Sequence, residues 1–335
     1  MSTLAHCEYA PCRTSSKQEN FSLLSKFSPA SSHPLKYLLF LATLLVLASL
    51  LAAPGTAYSK SHDESVVVTG TMEVIVADTP QGQVIMTYFL HEDNSTQIYE
   101  LLFTTISPPE NLTGGQQVTV TGIPEGNQLQ VETIELPKPN GKLPVVGDRY
   151  AVVIMVDLQN VKASTRYTRD QIATAMYALD SNGVPAPAGT RSVRELYQQA
   201  SLGQLNFTPD TDNNGKPDVF GPFTINYSYT GTCDYQNWTA AAEAAAQQAG
   251  IDLNLYQHRV FVLPRYSDIP GCGWQGLANV GCTSFCRTWI AQAETPMTYA
   301  HELGHNLEMG HAGTPAPIRR TMARLIIPTA TILTP

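Results

Sequence analysis

The stretch TPMTYAHELGHNLEMGHAGTP, residues 295–315, carries His301, Glu302, His305 and His311 within eleven residues. Thr295 followed by Pro296 marks a helix start. Threonine is a good N-cap, and proline costs nothing at the first helical position, whose N–H has no intrahelical partner. On that helix His301 and His305 lie four residues apart and share a face, so both imidazoles can reach one ion. Glu302 stands one position on, beside the ion rather than ligating it, where it can take a proton from water and pass it to a leaving amine. A catalytic zinc needs three protein ligands and one open position, and His311 is the natural third. The plain alternative is three histidines merely tolerated on a helix face.

The spacing fits the metzincin zinc signature H-E-x-x-H-x-x-G-x-x-H at every position but one. The longer segment TWIAQAETPMTYAHELGHNLEMGHA, with GWQGLA (273–278) and SVRELYQQASLGQLNF (192–207), resembles the gametolysin family of secreted metalloendopeptidases over about residues 148–315. The resemblance implies a metzincin-like α+β catalytic domain, zinc ligands His301, His305 and His311, and Glu302 as general base. It also implies an N-terminal propeptide and protein or glycoprotein substrates in extracellular matrix or cell wall.

Two departures stand out. Glu308 occupies the motif's glycine position, and a glycine appears only at Gly310. A helix running on to Gly310 would carry His311 away from the metal, whereas a turn at Glu308 requires a positive φ that a β-carbon penalises by about 1 kcal/mol. Ligation by Glu308 itself is the weaker alternative to a helix-surface role. The second departure is the tail AGTPAPIRRTMARLIIPTATILTP, where Met322 lacks a Met-turn context and no Asp or Glu is present to act as a downstream third ligand. Its Arg/Pro/Thr composition is that of a chain truncated, or shifted in frame, after the zinc motif.

The chain has 335 residues, 43% hydrophobic and 14% charged, a globular composition long enough for two domains. Its net charge of −8 becomes about −10 without residues 1–57, which hold four Lys/Arg against two Glu. No Lys/Arg cluster for phosphates is present, so nucleic acid is not an expected partner. YLLFLATLLVLASLLAA (37–53), behind Lys36 and before PGTAYS, reads as a secretory signal cleaved after Ala57. An uncleaved membrane anchor is the minor alternative. Cys7 and Cys12 precede that site, leaving Cys233, Cys272, Cys282 and Cys286. An even set in an exported chain favours two disulfides with three connectivities open, and a Cys₄ zinc site is the rival.

Leader and signal thus take residues 1–57. Residues 58–137 read as a small all-β barrel or sandwich, a candidate propeptide, because Val/Ile/Thr runs such as SVVVTGTMEVIVAD alternate and break at Gly, Pro and Asn. NST at Asn94 and NLT at Asn111 are glycosylation acceptors in a eukaryotic source. The Pro/Gly/Lys-rich segment 138–149 reads as a linker. Residues 150–335 form the catalytic domain, α/β with helices on a mixed sheet. YAVVIMVDL and HRVFVLP read as buried strands, while TRDQIATAMYAL, SVRELYQQASLG (capped by Ser192, ended by Gly203) and WTAAAEAAAQQAG (stopped by Gly250) read as helices.

Two further candidates remain. PDTDNNGKPD places Asp210, Asp212, Asn214, Gly215 and Asp218 at calcium-loop positions, but position twelve is Gly221, so a surface Asx turn competes with calcium. Trp274 either lines a cleft or packs in the core. The combined reading is a secreted zinc endopeptidase. The alternative is an inactive homologue serving as a secreted binding or adhesion module. Latency, if present, needs steric cover or a ligand other than cysteine, since residues 58–150 contain none.

Overall fold

The computed structural model describes residues 64–137, 145–282 and 284–311. The chain divides into two units, Met1–Lys60 and Ser61–Pro335, and everything below concerns the second. The expected leader and signal (1–57), linker residues 138–144 and the tail with Met322 lie outside the described residues.

Five strands open this unit: β1 (Val66–Asp78), β2 (Val84–Glu92), β3 (Ile98–Leu102), β4 (Gln117–Glu125) and β5 (Gln128–Glu135). They run in the order β2-β3-β5-β4-β1, and β1 pairs β2 again, closing a barrel with β3–β5 as its one parallel pair. Val68, Met72, Val74, Leu90, Val120 and Leu129 fill it, supplied by the inward-facing positions of alternating strands. Among the described residues this part has no helix. Asn94 and Asn111 are both exposed.

The remainder holds β6 (Gly147–Asp157), α1 (Arg169–Tyr177), α2 (Val193–Ala200), β7 (Leu205–Thr208), β8 (Val219–Thr224), α3 (Tyr235–Gln248), β9 (His258–Val262), β10 (Gly276–Asn279), β11 (Cys286–Ile290) and α4 (Pro296–Asn306). Its strand order is β10-β11-β9-β6-β7, with β8 also on β6. Only β10–β11 is antiparallel, so the sheet is mixed. With four α-helices among the described residues, unevenly distributed around it, the class is α+β rather than a regular α/β alternation.

The unbroken apolar run of β6 has a direct cause. Ala151, Val153 and Met155 pack with Ile172, Met176, Tyr197 and Leu303 on one face, while Val152, Ile154 and Val156 pack with Trp238, Ala242 and Ala246 on the other. Both faces of the strand are covered, so neither can be polar. Helix starts follow their caps: the Thr168 side chain accepts from Gln171 N in a capping box, and Ser192 accepts from Glu195 N. Gly203 and Gly250 take φ of 80° and 88° just past α2 and α3, which only glycine adopts freely. Thr295 occupies the N-cap of α4, but its side chain makes no cap bond; Pro296 alone marks that start.

The cysteines pair as Cys233–Cys272 and Cys282–Cys286, which removes the Cys₄ zinc reading. Trp274 is a core residue, 6% exposed and edge-on to Tyr235, not a cleft wall. No helix among the described residues is long and apolar enough to cross a membrane.

The barrel and the mixed sheet are one continuous sheet. The last four residues of β1 run antiparallel along β10, from Ile75 opposite Asn279 to Asp78 opposite Gly276. Gln275 N donates to Asp78 O and Val280 N to Val74 O, both at 2.8 Å, extending that pairing at each end.

Candidate metal centre

Helix α4 presents His301 and His305 from successive turns of one face, with Nε2 atoms 3.2 Å apart. The helix does not run to Gly310. It ends at Asn306 with Leu307 as C-cap, and Glu308 takes the left-handed conformation at φ 64°. Glu308 N donates to His305 O at 2.8 Å and Met309 N to Gly304 O at 2.9 Å, the paired bonds of a Schellman turn. Glutamate thus does the work usually given to glycine, at about 1 kcal/mol of backbone strain. Glu308 is therefore neither on the helix surface nor in the ligand cluster, and its turn brings His311 Nε2 to 3.1 Å from His301 Nε2.

The turn also orients His305. Its Nδ1 lies 2.8 Å from Met309 O, and because a carbonyl can only accept, Nδ1 carries the proton and Nε2 is left as the free donor pair. His305 is nearly buried and His301 and His311 are more open, with side-chain exposures of 4%, 45% and 20%. Burial lowers the His305 pKa, which favours the neutral, ligating form.

A fourth group comes from the barrel. Asp78 Oδ1 stands 2.8 Å from His311 Nε2, and Oδ2 stands 3.2 Å from His301 Nε2 and 3.6 Å from His305 Nε2. Burial opposes ionisation of this carboxyl, but the imidazoles of His301, His305 and His311 around it outweigh that and hold it far below the usual carboxylate range. A tetrahedral zinc with ligands at about 2.1 Å has ligand–ligand separations of about 3.4 Å. Three imidazole nitrogens and one carboxylate at these spacings fit that ion. Sequence reading missed Asp78, since nothing in VIVADTPQG marks a ligand and its partners lie more than 200 residues away.

Glu302 is 1% exposed, and its Oε2 has no hydrogen-bond partner among the described residues. Burial first, and the Asp78 charge second, push its carboxyl well above the ordinary range. It lies against β10, where a Cβ on Gly276 would meet Glu302 Oε1 at 1.9 Å. Glycine at 276 is a space requirement that GWQGLA did not reveal.

Asn306, also missed, ties the end of α4 to the sheet. Its Nδ2 donates to Asn279 O at 2.9 Å and Arg287 O at 3.3 Å; its Oδ1 accepts from Thr288 Oγ1 at 3.0 Å and pairs with His258 Nδ1 at 3.2 Å. Gly304 faces Tyr197, whose hydroxyl donates to Ala300 O at 2.7 Å. The middle and the C-terminal end of the helix are therefore clamped.

The second acidic group comes together less completely. One carboxylate oxygen each from Asp210, Asp212 and Asp218 lies within 4.8 Å of the others. Asn214 is turned inward: its Nδ2 donates to Asp212 Oδ2 and its Oδ1 accepts from Lys216 N. Asp218 is buried, which raises its pKa to about 6, and accepts from Tyr256 OH and Thr211 N. Gly221, the expected twelfth position, sits in β8 and offers no carboxylate.

Residues 150–316 match the gametolysin peptidase M11 family. No curated protein matches the chain.

Proposed function

Because this chain belongs, through residues 150–316, to the gametolysin peptidases, which are metallopeptidases, we propose that it is a zinc-dependent endopeptidase with a metzincin-like site. The observation that supports this is the convergence of the His301, His305 and His311 imidazoles, with His301 Nε2 3.2 Å from His305 Nε2 and 3.1 Å from His311 Nε2. In this reading those three histidines hold the zinc. The ion, when bound, supplies the Lewis acidity that polarises a scissile carbonyl and acidifies water.

The rest is done by the chain's own groups. Glu302 accepts a proton as the water oxygen bonds to the carbonyl carbon, then delivers it to the nitrogen as the C–N bond breaks. Its burial against Gly276 keeps the carboxylate directed rather than solvated. Met309 O holds the His305 tautomer, and the Glu308 turn positions His311.

The leader read at residues 1–57 supports export, and extracellular or cell-wall proteins are then the proposed substrates. Calcium at Asp210, Asp212 and Asp218 is a separate proposal, tested by whether calcium raises the melting temperature of the wild type and not of Asp212→Ala. The main test is zinc content and hydrolysis of a generic protein substrate by wild type and Glu302→Ala. One zinc per chain, with cleavage lost at least about a hundredfold in the variant, is expected. Zinc bound without Glu302-dependent cleavage, persisting when Asp78 is replaced by Ala, would instead support the inactive homologue.

A further inference from the structure

The three histidines leave one tetrahedral position, and the barrel fills it. Asp78 is the only acidic group within reach of all three Nε2 atoms among the described residues. It is not a loose surface carboxylate that drifted there. Its own carbonyl accepts from Gln275 N, its strand is in register with β10 from Ile75 to Asp78, and Asn279 Nδ2 donates to Glu73 Oε1 at 2.9 Å, locking that register from a second side chain. Arg287 N in turn donates to Asn279 Oδ1 at 2.7 Å, so the lock reaches β11.

The backbone pairing matters as much as the carboxylate. Strand β10 borders the helix that carries the histidines and is the outer strand of the mixed sheet on that side. An extended peptide adds to a sheet through such an edge, with main-chain hydrogen bonds giving affinity. Here Ile75–Asp78 already takes it. One segment of the barrel therefore occupies both the edge and the remaining ligand position.

We propose that Asp78 is a fourth metal ligand and that the Ile75–Asp78 strand occupies the substrate's place, so the N-terminal barrel holds this peptidase closed. This rests on the three-histidine metal reading. A site with four protein ligands lacks the open position that catalysis needs. Opening requires the β1–β10 pairing to part and Asp78 to leave with it.

Cobalt provides a readout independent of turnover. The full chain is stripped of metal, loaded with one equivalent of Co²⁺, and its visible absorption followed while acetohydroxamate is added. The wild-type spectrum is expected to stay unchanged, because no position is open. Asp78→Ala, and Asp78→Asn as the isosteric variant retaining the barrel's packing, are expected to shift on adding hydroxamate and to cleave protein substrate faster than wild type. A wild-type spectrum that shifts as readily as the variants' overturns the fourth-ligand assignment while leaving the three-histidine site standing. Failure of the wild type to bind Co²⁺ in a His305-dependent way overturns both.

Discussion

Gly276 and Glu302 are in contact across the strand–helix boundary so closely that a single methyl on Gly276 would fall 1.9 Å from Glu302 Oε1. Strand β10 can pass over the proposed base only because it has no side chain there. Gly276→Ala should therefore displace Glu302 without touching a metal ligand. We expect zinc content to remain at one per chain and cleavage to fall at least about tenfold, part of the 10²–10⁴ that general-base catalysis contributes. Unchanged cleavage would mean that Glu302 moves freely or does not act.

Metal should stabilise as well as activate. The three histidines are brought together only in the folded chain, so an ion bound there favours the folded state by about 2.7 kcal/mol when free metal exceeds its dissociation constant a hundredfold. Chelation should lower the melting temperature and one equivalent of zinc restore it. In His305→Ala that zinc-dependent rise should disappear, and calorimetry of the two proteins with and without chelator makes the comparison.

Glu308 permits a test of the turn itself. At φ 64° the β-carbon is strained whatever the side chain does beyond it. Comparing Glu308→Gly with Glu308→Ala removes the carboxylate from both. The glycine variant should be the more stable by about 1 kcal/mol in urea unfolding. Equal stabilities would indicate that the turn relaxes to another conformation.

Asn306 carries more of the helix end than its place between two motif residues implies. It satisfies two main-chain carbonyls, a threonine hydroxyl and a buried histidine. Asn306→Ala leaves those groups unpaired and should cost about 2–4 kcal/mol of stability. A loss below about 1 kcal/mol, measured by denaturant unfolding, would show that water replaces the side chain.

His258 makes stability depend on pH. Burial first, only partly offset by its bond to Asn306, pushes the imidazole down to about 4 from an ordinary 6.5. Between those values the unfolded chain binds a proton that the folded chain does not. Its contribution is therefore present above pH 6.5 and lost as pH falls towards about 4, on the order of 3 kcal/mol across the window. Unfolding free energies at pH 7 and pH 4.5 should differ less in His258→Gln than in wild type; an identical difference would remove His258 from the account.

Much of this protein is legible without coordinates, because the relevant signals are local. The four-residue spacing of His301 and His305 defines a shared helix face, and Pro296, Ser192, Gly203 and Gly250 mark helix boundaries through backbone chemistry that acts within one turn. The continuous apolar run of β6 announces a strand covered on both sides, and the α+β class that the family resemblance implied agrees with how few helices cover the sheet. What tertiary structure decided has no local signal. Whether His311 reaches the other histidines depended on Glu308 accepting a left-handed conformation, which the pattern disfavours and the Schellman turn enforces. Gly276 is required by a carboxylate 26 positions later, and Trp274 is core because Tyr235 packs on it. Asp78 lies 223 residues before His301 and arrives only because β1 is long enough to leave its barrel and pair with β10. Pairing register joins distant segments, and no periodicity within either segment records it.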